Sequence, residues 1–338
     1  MTLIDFWFWL IGLLWIGYFF LEGFDFGVGM LMPILGRDEI RRRVLINSIG
    51  PVWDANEVWF LTAGGATFAA FPIWYATMFS GFYLPLLIIL VALILRAVGF
   101  EFRGKTSKLH GDTWRSRWDA CIMFGSYVPA ILWGVAFANI VRGVHLDANY
   151  DYAGTVLDLL NPYALLGGVT FAAVFLLHGT IYVSLKTVGD IRAEATALAL
   201  KIGIGTLVVA LAFAIWTVSL RSSFGALVFM GGLVFGIVIA LLLIRLHQDG
   251  WAFTANGVAI AAMITGIFWA LYPNVLPDLD GVNDLTQQIA ASSPYTLKVM
   301  TWVAVVFTPI VVGYQAWTYW VFRKRIGTQH IPTPALAH

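Results

Sequence analysis

The chain contains one cysteine, Cys121, and a single thiol can build neither an intrachain disulfide framework nor a cysteine-based metal cluster. Cys121 falls in an apolar segment, where a small buried hydrophobe is its expected role. Charge is scarce too. Asp, Glu, Lys and Arg make up 12% of residues and the net charge is +1, which gives no support for nucleic-acid binding. Histidines number six, and His110, His145, His247, His330 and His338 fall in loops, at a span end or in the tail. Only His178 is deep, whereas a buried bis-histidine haem needs two such ligands on facing helices. A haem held by one histidine and a methionine or carboxylate stays open on counting alone. There is no Gly-rich phosphate loop with a following Lys, no HExxH and no CxxC. No catalytic centre and no metal site of this chain's own is readable.

What the chain does have is apolar length. It is 60% hydrophobic with a mean hydropathy of +0.82, outside the range of soluble globular proteins. Nine candidate spans lie near 4–34, 50–71, 74–100, 118–140, 162–185, 198–219, 225–245, 251–273 and 297–322. Runs this long and unalternating suit helices and not barrel strands. The expectation is an all-α integral membrane protein: a single polytopic domain over 1–338 with nine transmembrane helices. The first segment lacks a basic n-region and a cleavage site, so it reads as a retained span and not a signal peptide. Of the 20 Lys and Arg, 17 fall in one set of alternate loops and the C-terminal end; Arg142, Arg221 and Lys298 fall on the other side. That asymmetry predicts an N-out/C-in topology. Eight spans plus one suggest, by analogy of geometry, two four-helix bundles and a peripheral helix. The loops at 142–161 and 274–296 are long enough for short surface structure, and residues 186–200 read as an interfacial turn leading into the sixth span.

Between Leu21 and Gly65 the chain reads LEGFDFGVGML, then RDEIRRR, then NSIGPVWDANEVWFLTAGG. Four carboxylates, Glu22, Asp25, Asp54 and Glu57, thus lie inside two otherwise apolar segments joined by an arginine-rich turn. Each ionised group in hydrocarbon costs roughly 2.5 kcal/mol or more, so such groups are paired, hydrated or used. Glu22 and Asp25 are three apart and share a helix face, as do Asp54 and Glu57. With the first helix ending near Leu35, Asp25 lies roughly 15 Å from that end. A ladder of exchangeable acids leading inward is what a proton relay requires. The structural alternative is that Asp54 caps a helix start and Asp25 pairs with Arg96. Arg96, in LILRAVGFEFR, either neutralises Asp25 or Asp54 or snorkels to the headgroups. Trp53 and Trp59 bracket the second pair of acids. Gly23, Gly27 and Gly29 recur along the first span, where missing side chains let helices approach closely.

The strings GFDFGVGM (23–30), NSIGPVWDANEVWFLTAGGATFAAFP (47–72), FSGFYLPL (79–86) and LILRAVGFEFR (93–103) closely resemble subunit II of the cytochrome bd quinol oxidases. The resemblance is dense over roughly residues 5–105 and rests on span number and spacing beyond. It implies a haem-free, nine-helix subunit of the prokaryotic cytoplasmic membrane. Its partner would be a haem-bearing subunit I, with haem b and haem d, that oxidises quinol and reduces dioxygen to water without pumping protons. It further implies a proton path from the inside beginning at Asp54 and running towards the subunit interface, with Asp25 and Arg96 as its polar surroundings, and a lateral oxygen entrance near Trp59. The ladder read from the residues adds Glu57 and Glu22 to the path and makes Arg96 a counter-ion. Some complexes of the family add a small single-helix accessory subunit, and some subunits II hold a structural quinone, for which no motif decides here. Two departures stand out: Ala97 follows the arginine where glycine is common, and the outer loops are short. From the physics of the residues alone, the rival is a proton-coupled secondary transporter, which would more plausibly show helices broken near the midplane and an inverted repeat.

Overall fold

The computed structural model describes residues 2–105 and 111–331, so Lys108, His110 and His338 lie outside it. Helix α1 (Leu3–Leu35) opens with a capping box between Thr2 and Asp5, runs for 33 residues and ends at Gly36 just after Pro33. The basic run that follows is not a turn. It forms helix α2 (Glu39–Ile49), because Asp38 accepts the backbone N–H of Arg41 and caps it. Helix α3 (Trp53–Ala70) returns, then α4 (Pro72–Gly81) and α5 (Tyr83–Phe102) follow. The third predicted span is therefore two helices meeting at Phe82. Pro85 supplies the reason: its ring conflicts with the carbonyl four residues back, at Gly81, and it has no N–H to continue the ladder.

Helices α6 (Gly111–Arg142), α7 (Pro162–Lys186), α8 (Asp190–Leu220), α9 (Phe224–Arg245) and α10 (Asp249–Leu271) continue the bundle. Because α8 starts at Asp190, most of the expected turn at 186–200 is already helix. A two-stranded antiparallel ribbon, β1 (Asn274–Leu276) with β2 (Leu285–Thr286), precedes the short α11 (Gln287–Ala290) and the long α12 (Pro294–Val321). Asn161 and Ser293 cap α7 and α12, each with proline as the first helical residue.

Eight of these helices are long and apolar enough to cross a membrane, among the described residues. The one expected span outside that set is α3. It has only 18 residues, and Asp54, Asn56, Glu57, Thr62 and Thr67 lower its apolarity. It nevertheless connects the two ends of the bundle. Tyr182 donates to the Ser48 carbonyl just before its start, and Ser292 reaches the Ala69 and Ala70 carbonyls at its finish.

Helix α1 is the axis, packed against α3, α6, α7 and α10. Its crossing with α7 is possible only between glycines: a Cβ on Gly27 would lie 2.2 Å from the Phe175 carbonyl oxygen and 2.6 Å from the Gly179 Cα. At one end of the bundle the basic segments lock together. Arg41 grips Glu194 through both carboxylate oxygens, at 2.8 and 3.1 Å, and Arg103 bridges Glu39 at 2.7 Å and Asp119 at 2.5 Å. Arg192 holds Asp249 at 2.8 Å. At the other end, buried Asp278 ties two loops by accepting the backbone N–H of Leu146, Val282 and Asn283.

Candidate functional site: a buried acid–arginine cluster

Glu22 and Asp25 lie on the inner face of α1 with no exposed surface, and Arg96 on α5 is equally enclosed. Arg96 gets that deep because α6 presents Gly125 beside it, where a Cβ would lie 2.3 Å from the Arg96 Cβ. Its guanidinium donates to Glu22 in a short, fully buried ion pair and sits 4.9 Å from the Phe26 ring and 5.3 Å from that of Phe100. The expected partners of Arg96, Asp25 or Asp54, are thus corrected to Glu22, and snorkelling is ruled out by complete burial. A cation with aromatic rings beside it and a carboxylate on one nitrogen is held by that ion pair. Its field extends to Asp25 and Glu57 as well as to Glu22.

Asp25 is held by a different group. Asn56 on α3 donates through Nδ2 to the Asp25 carboxylate at 2.7 Å and to the Leu21 carbonyl at 3.3 Å. The Asn56 carbonyl oxygen accepts from Gln315 at 3.0 Å and from the Tyr319 hydroxyl at 2.8 Å, both on α12. Gln315 in turn accepts the Trp59 indole N–H at 2.6 Å. One amide therefore joins the acid of the first helix to the last helix. Sequence reasoning missed Asn56, Gln315 and Tyr319. The readable signal was an uncharged amide inside each of two apolar helices, with Tyr319 one turn beyond Gln315.

Glu57 is half-buried, one turn along α3 from Asp54, which is exposed on the flank of the bundle. Asp54 does not cap its helix: the N-cap residue is Val52, and no side chain fills the cap role. Exposure therefore falls stepwise from Asp54 through Glu57 to the enclosed Glu22–Arg96 pair. Buried atoms in this cluster have hydrogen-bonding capacity that no protein group uses: Glu22 Oε2, Asp25 Oδ1, Glu57 Oε2, and Arg96 Nε and Nη2. Trp53 packs at a tilt against Phe100, 5.0 Å between ring centroids. Trp59 fills the space left by Gly17, where a Cβ would lie 2.4 Å from the indole. It also borders an apolar groove of about 610 Å³ between α1, α3 and α12. The break between α4 and α5 lies away from the acids, beside the loop where Thr77 donates to the Tyr150 carbonyl.

His178 does not fit an iron ligand. Its Nε2 bonds the Phe20 carbonyl at 3.1 Å, Nδ1 faces the Asn256 amide at 3.1 Å, and the ring stacks on Phe253 with centroids 4.4 Å apart. Both ring nitrogens are engaged within the protein. Among the described residues, no group of three or more His, Cys, Asp or Glu could hold a metal ion.

Fold and site together define a multi-pass helical membrane protein that buries an acid–arginine cluster at its axis. A family-wide profile for cytochrome bd terminal oxidase subunit II matches residues 3–322, and the chain belongs to that family. It is 44% identical over 331 residues to cytochrome bd ubiquinol oxidase subunit 2 of Bacillus subtilis, covering 96% of this chain and 97% of the relative. To cytochrome bd-I ubiquinol oxidase subunit 2 of Escherichia coli K12 it is 37% identical over 364 residues, covering 96% and 95%. In fold it matches a chain of the bd oxidase from Geobacillus thermodenitrificans with a TM-score of 0.78 at 17% identity, covering 95% of this chain and 99% of that one. Such relatives, with eight membrane-length helices here, make this a multi-pass protein of the prokaryotic cytoplasmic membrane.

Proposed function

We propose that the chain is the haem-free subunit II of a quinol:oxygen oxidoreductase. The haems b and d and the quinol-oxidising site lie in the partner subunit I, and this chain supplies protons and access. The observation that carries the reading is the graded exposure from Asp54 through Glu57 to Glu22 beside Arg96. Acids at falling exposure, with unused hydrogen-bonding capacity at Glu57 and Glu22, suit stepwise transfer through bridging water. Asp25, oriented by Asn56, flanks this path and does not start it. Helix α3 is the ninth crossing, which puts the amino end outside and the basic end of the bundle in the cytoplasm. The eight-plus-one grouping makes α12 the peripheral helix: only Leu297 and Gln315 are buried along its length. The apolar groove that ends at Trp59 is the proposed lateral route for oxygen, which partitions into hydrocarbon. A small accessory helix, lipids and a structural quinone complete the partners the reading admits.

The test is Asp54→Asn in the assembled complex, which removes one exchangeable proton with almost no change of volume. Quinol-driven oxygen uptake falls by up to on the order of 10²-fold while the haem spectrum of the complex is retained. Unchanged turnover in a fully haem-loaded variant removes Asp54 from the path.

A further inference from the structure

A second cavity, of about 470 Å³, opens at the basic end of the bundle between α1, α7, α10 and α12. Its walls are aromatic: Phe24 stacks on Tyr182 with centroids 4.1 Å apart, and Phe253 and Tyr319 close the sides. Its mouth is cationic, lined by Lys186, Arg323 and Arg325, and no carboxylate is among the described residues that line it. The three cations are poorly matched by protein. Lys186 donates only to the main-chain carbonyls of Phe322 and Lys324. Arg323 donates to the Trp320 carbonyl and lies 4.3 Å over its ring, both contacts within its own stretch of chain. Arg325 reaches Asp249 at 3.3 Å, but Arg192 already grips that carboxylate at 2.8 and 3.0 Å. Positive charge is therefore left over at the basic end of the bundle, at the mouth of an aromatic-walled hollow.

We infer that this cavity binds one anionic phospholipid, its phosphodiester between Lys186, Arg323 and Arg325 and the upper part of one acyl chain against Phe24 and Phe253. Basic pockets between transmembrane helices recognise acidic headgroups in this way, and the volume falls within the range of small-molecule sites. A neutral isoprenoid or a zwitterionic lipid would fill the hollow and leave the charge unanswered. Because Tyr319 walls the cavity and also bonds Asn56, the lipid would steady the inner part of α12 against the helix that bears the acids.

The test uses the intact complex, delipidated in mild detergent and returned to phosphatidylcholine bilayers with and without phosphatidylglycerol. Lipids retained after re-extraction are then counted by native mass spectrometry. Wild type keeps one more phosphatidylglycerol per complex than Lys186→Gln/Arg323→Gln/Arg325→Gln, with retention weakening about fivefold for each charge removed. Arg323→Gln alone, which breaks no contact with another helix, shows the single step if the triple variant fails to assemble. Equal retention by wild type and Arg323→Gln overturns the site. Retention of phosphatidylcholine as firmly as phosphatidylglycerol, or a co-purified quinone in its place, overturns the headgroup assignment. Inorganic phosphate that protects the delipidated complex from heat as well as the lipid does shows that a bare anion suffices, which overturns the lipid.

Discussion

At the scale of single residues, the Glu22–Arg96 pair dictates most of what substitution does. Removing one partner strands the other charge in the buried interior, a loss of about 3–5 kcal/mol, whereas replacing both with apolar side chains is often close to neutral. Arg96→Leu is therefore expected to cut the yield of assembled complex sharply, and Glu22→Leu/Arg96→Leu to restore much of it without restoring turnover. Size-exclusion yield and oxygen uptake, measured on both variants, check the two halves separately. The acids themselves were legible in the sequence, since charge inside an apolar run announces itself. The pairing was not. Which carboxylate Arg96 meets depends on the approach of α5 to α6 that Gly125 permits, and no spacing along one chain encodes an angle between helices. Asn56 was hidden for a related reason: a neutral amide in an apolar helix looks like a minor blemish until the carboxylate on one side of it and the glutamine on the other are seen together.

Among helices, close approach and interruption follow simple sequence rules that are only partly visible beforehand. Glycines along α1 foretold tight packing, but only the fold separates those that are needed from those that are not. Gly27 faces α7 with no room for a methyl group, while a Cβ on Gly64 or Gly65 of α3 meets nothing within 4 Å. Gly27→Ala is expected to destabilise by about 1–3 kcal/mol through overpacking. Gly64→Ala should leave the melting temperature unchanged or raise it, because alanine is the better helix former. Thermal melts of the two variants side by side decide the matter; equal losses would mean that α1 and α7 do not cross as described. The division of 74–100 into α4 and α5 was written in Pro85, yet a long hydrophobic window averages over one proline. Helix α2 was missed because its arginines resembled a loop; Asp38 as N-cap and the pairs made by Arg41 and Arg42 turn them into a helix that fastens its neighbours.

For the whole molecule, the sequence's charge asymmetry has a direct counterpart: the basic segments meet at one end, where Arg103 binds both Glu39 and Asp119. Burial of Glu39 would raise its carboxyl, but hydrogen bonds and charge from Arg103 outweigh it and hold the group below its ordinary value. A depressed carboxylate stabilises the fold fully above its unfolded pKa, roughly 4.3, and that contribution disappears as the pH falls through the folded value. Glu39→Gln should therefore melt below wild type at neutral pH, with the gap closing in acid under pH ~4. A gap independent of pH would show that the carboxylate's charge plays no part. The all-helical, multi-span character was readable because hydropathy sums over the entire chain, and eight of the nine expected spans are membrane-length helices among the described residues. The partial failure at α3 comes from the same cause, since Asp54, Asn56, Glu57, Thr62 and Thr67 pull the average of an 18-residue helix down.

The attachment of α12 has a practical side. Two amides and a tyrosine couple α12 to the carboxyl group of Asp25, so a purification handle fused after residue 338 pulls on a lever whose short arm ends at that acid. Turnover of the assembled complex is therefore best compared before and after the handle is cleaved, which isolates the protein's own rate.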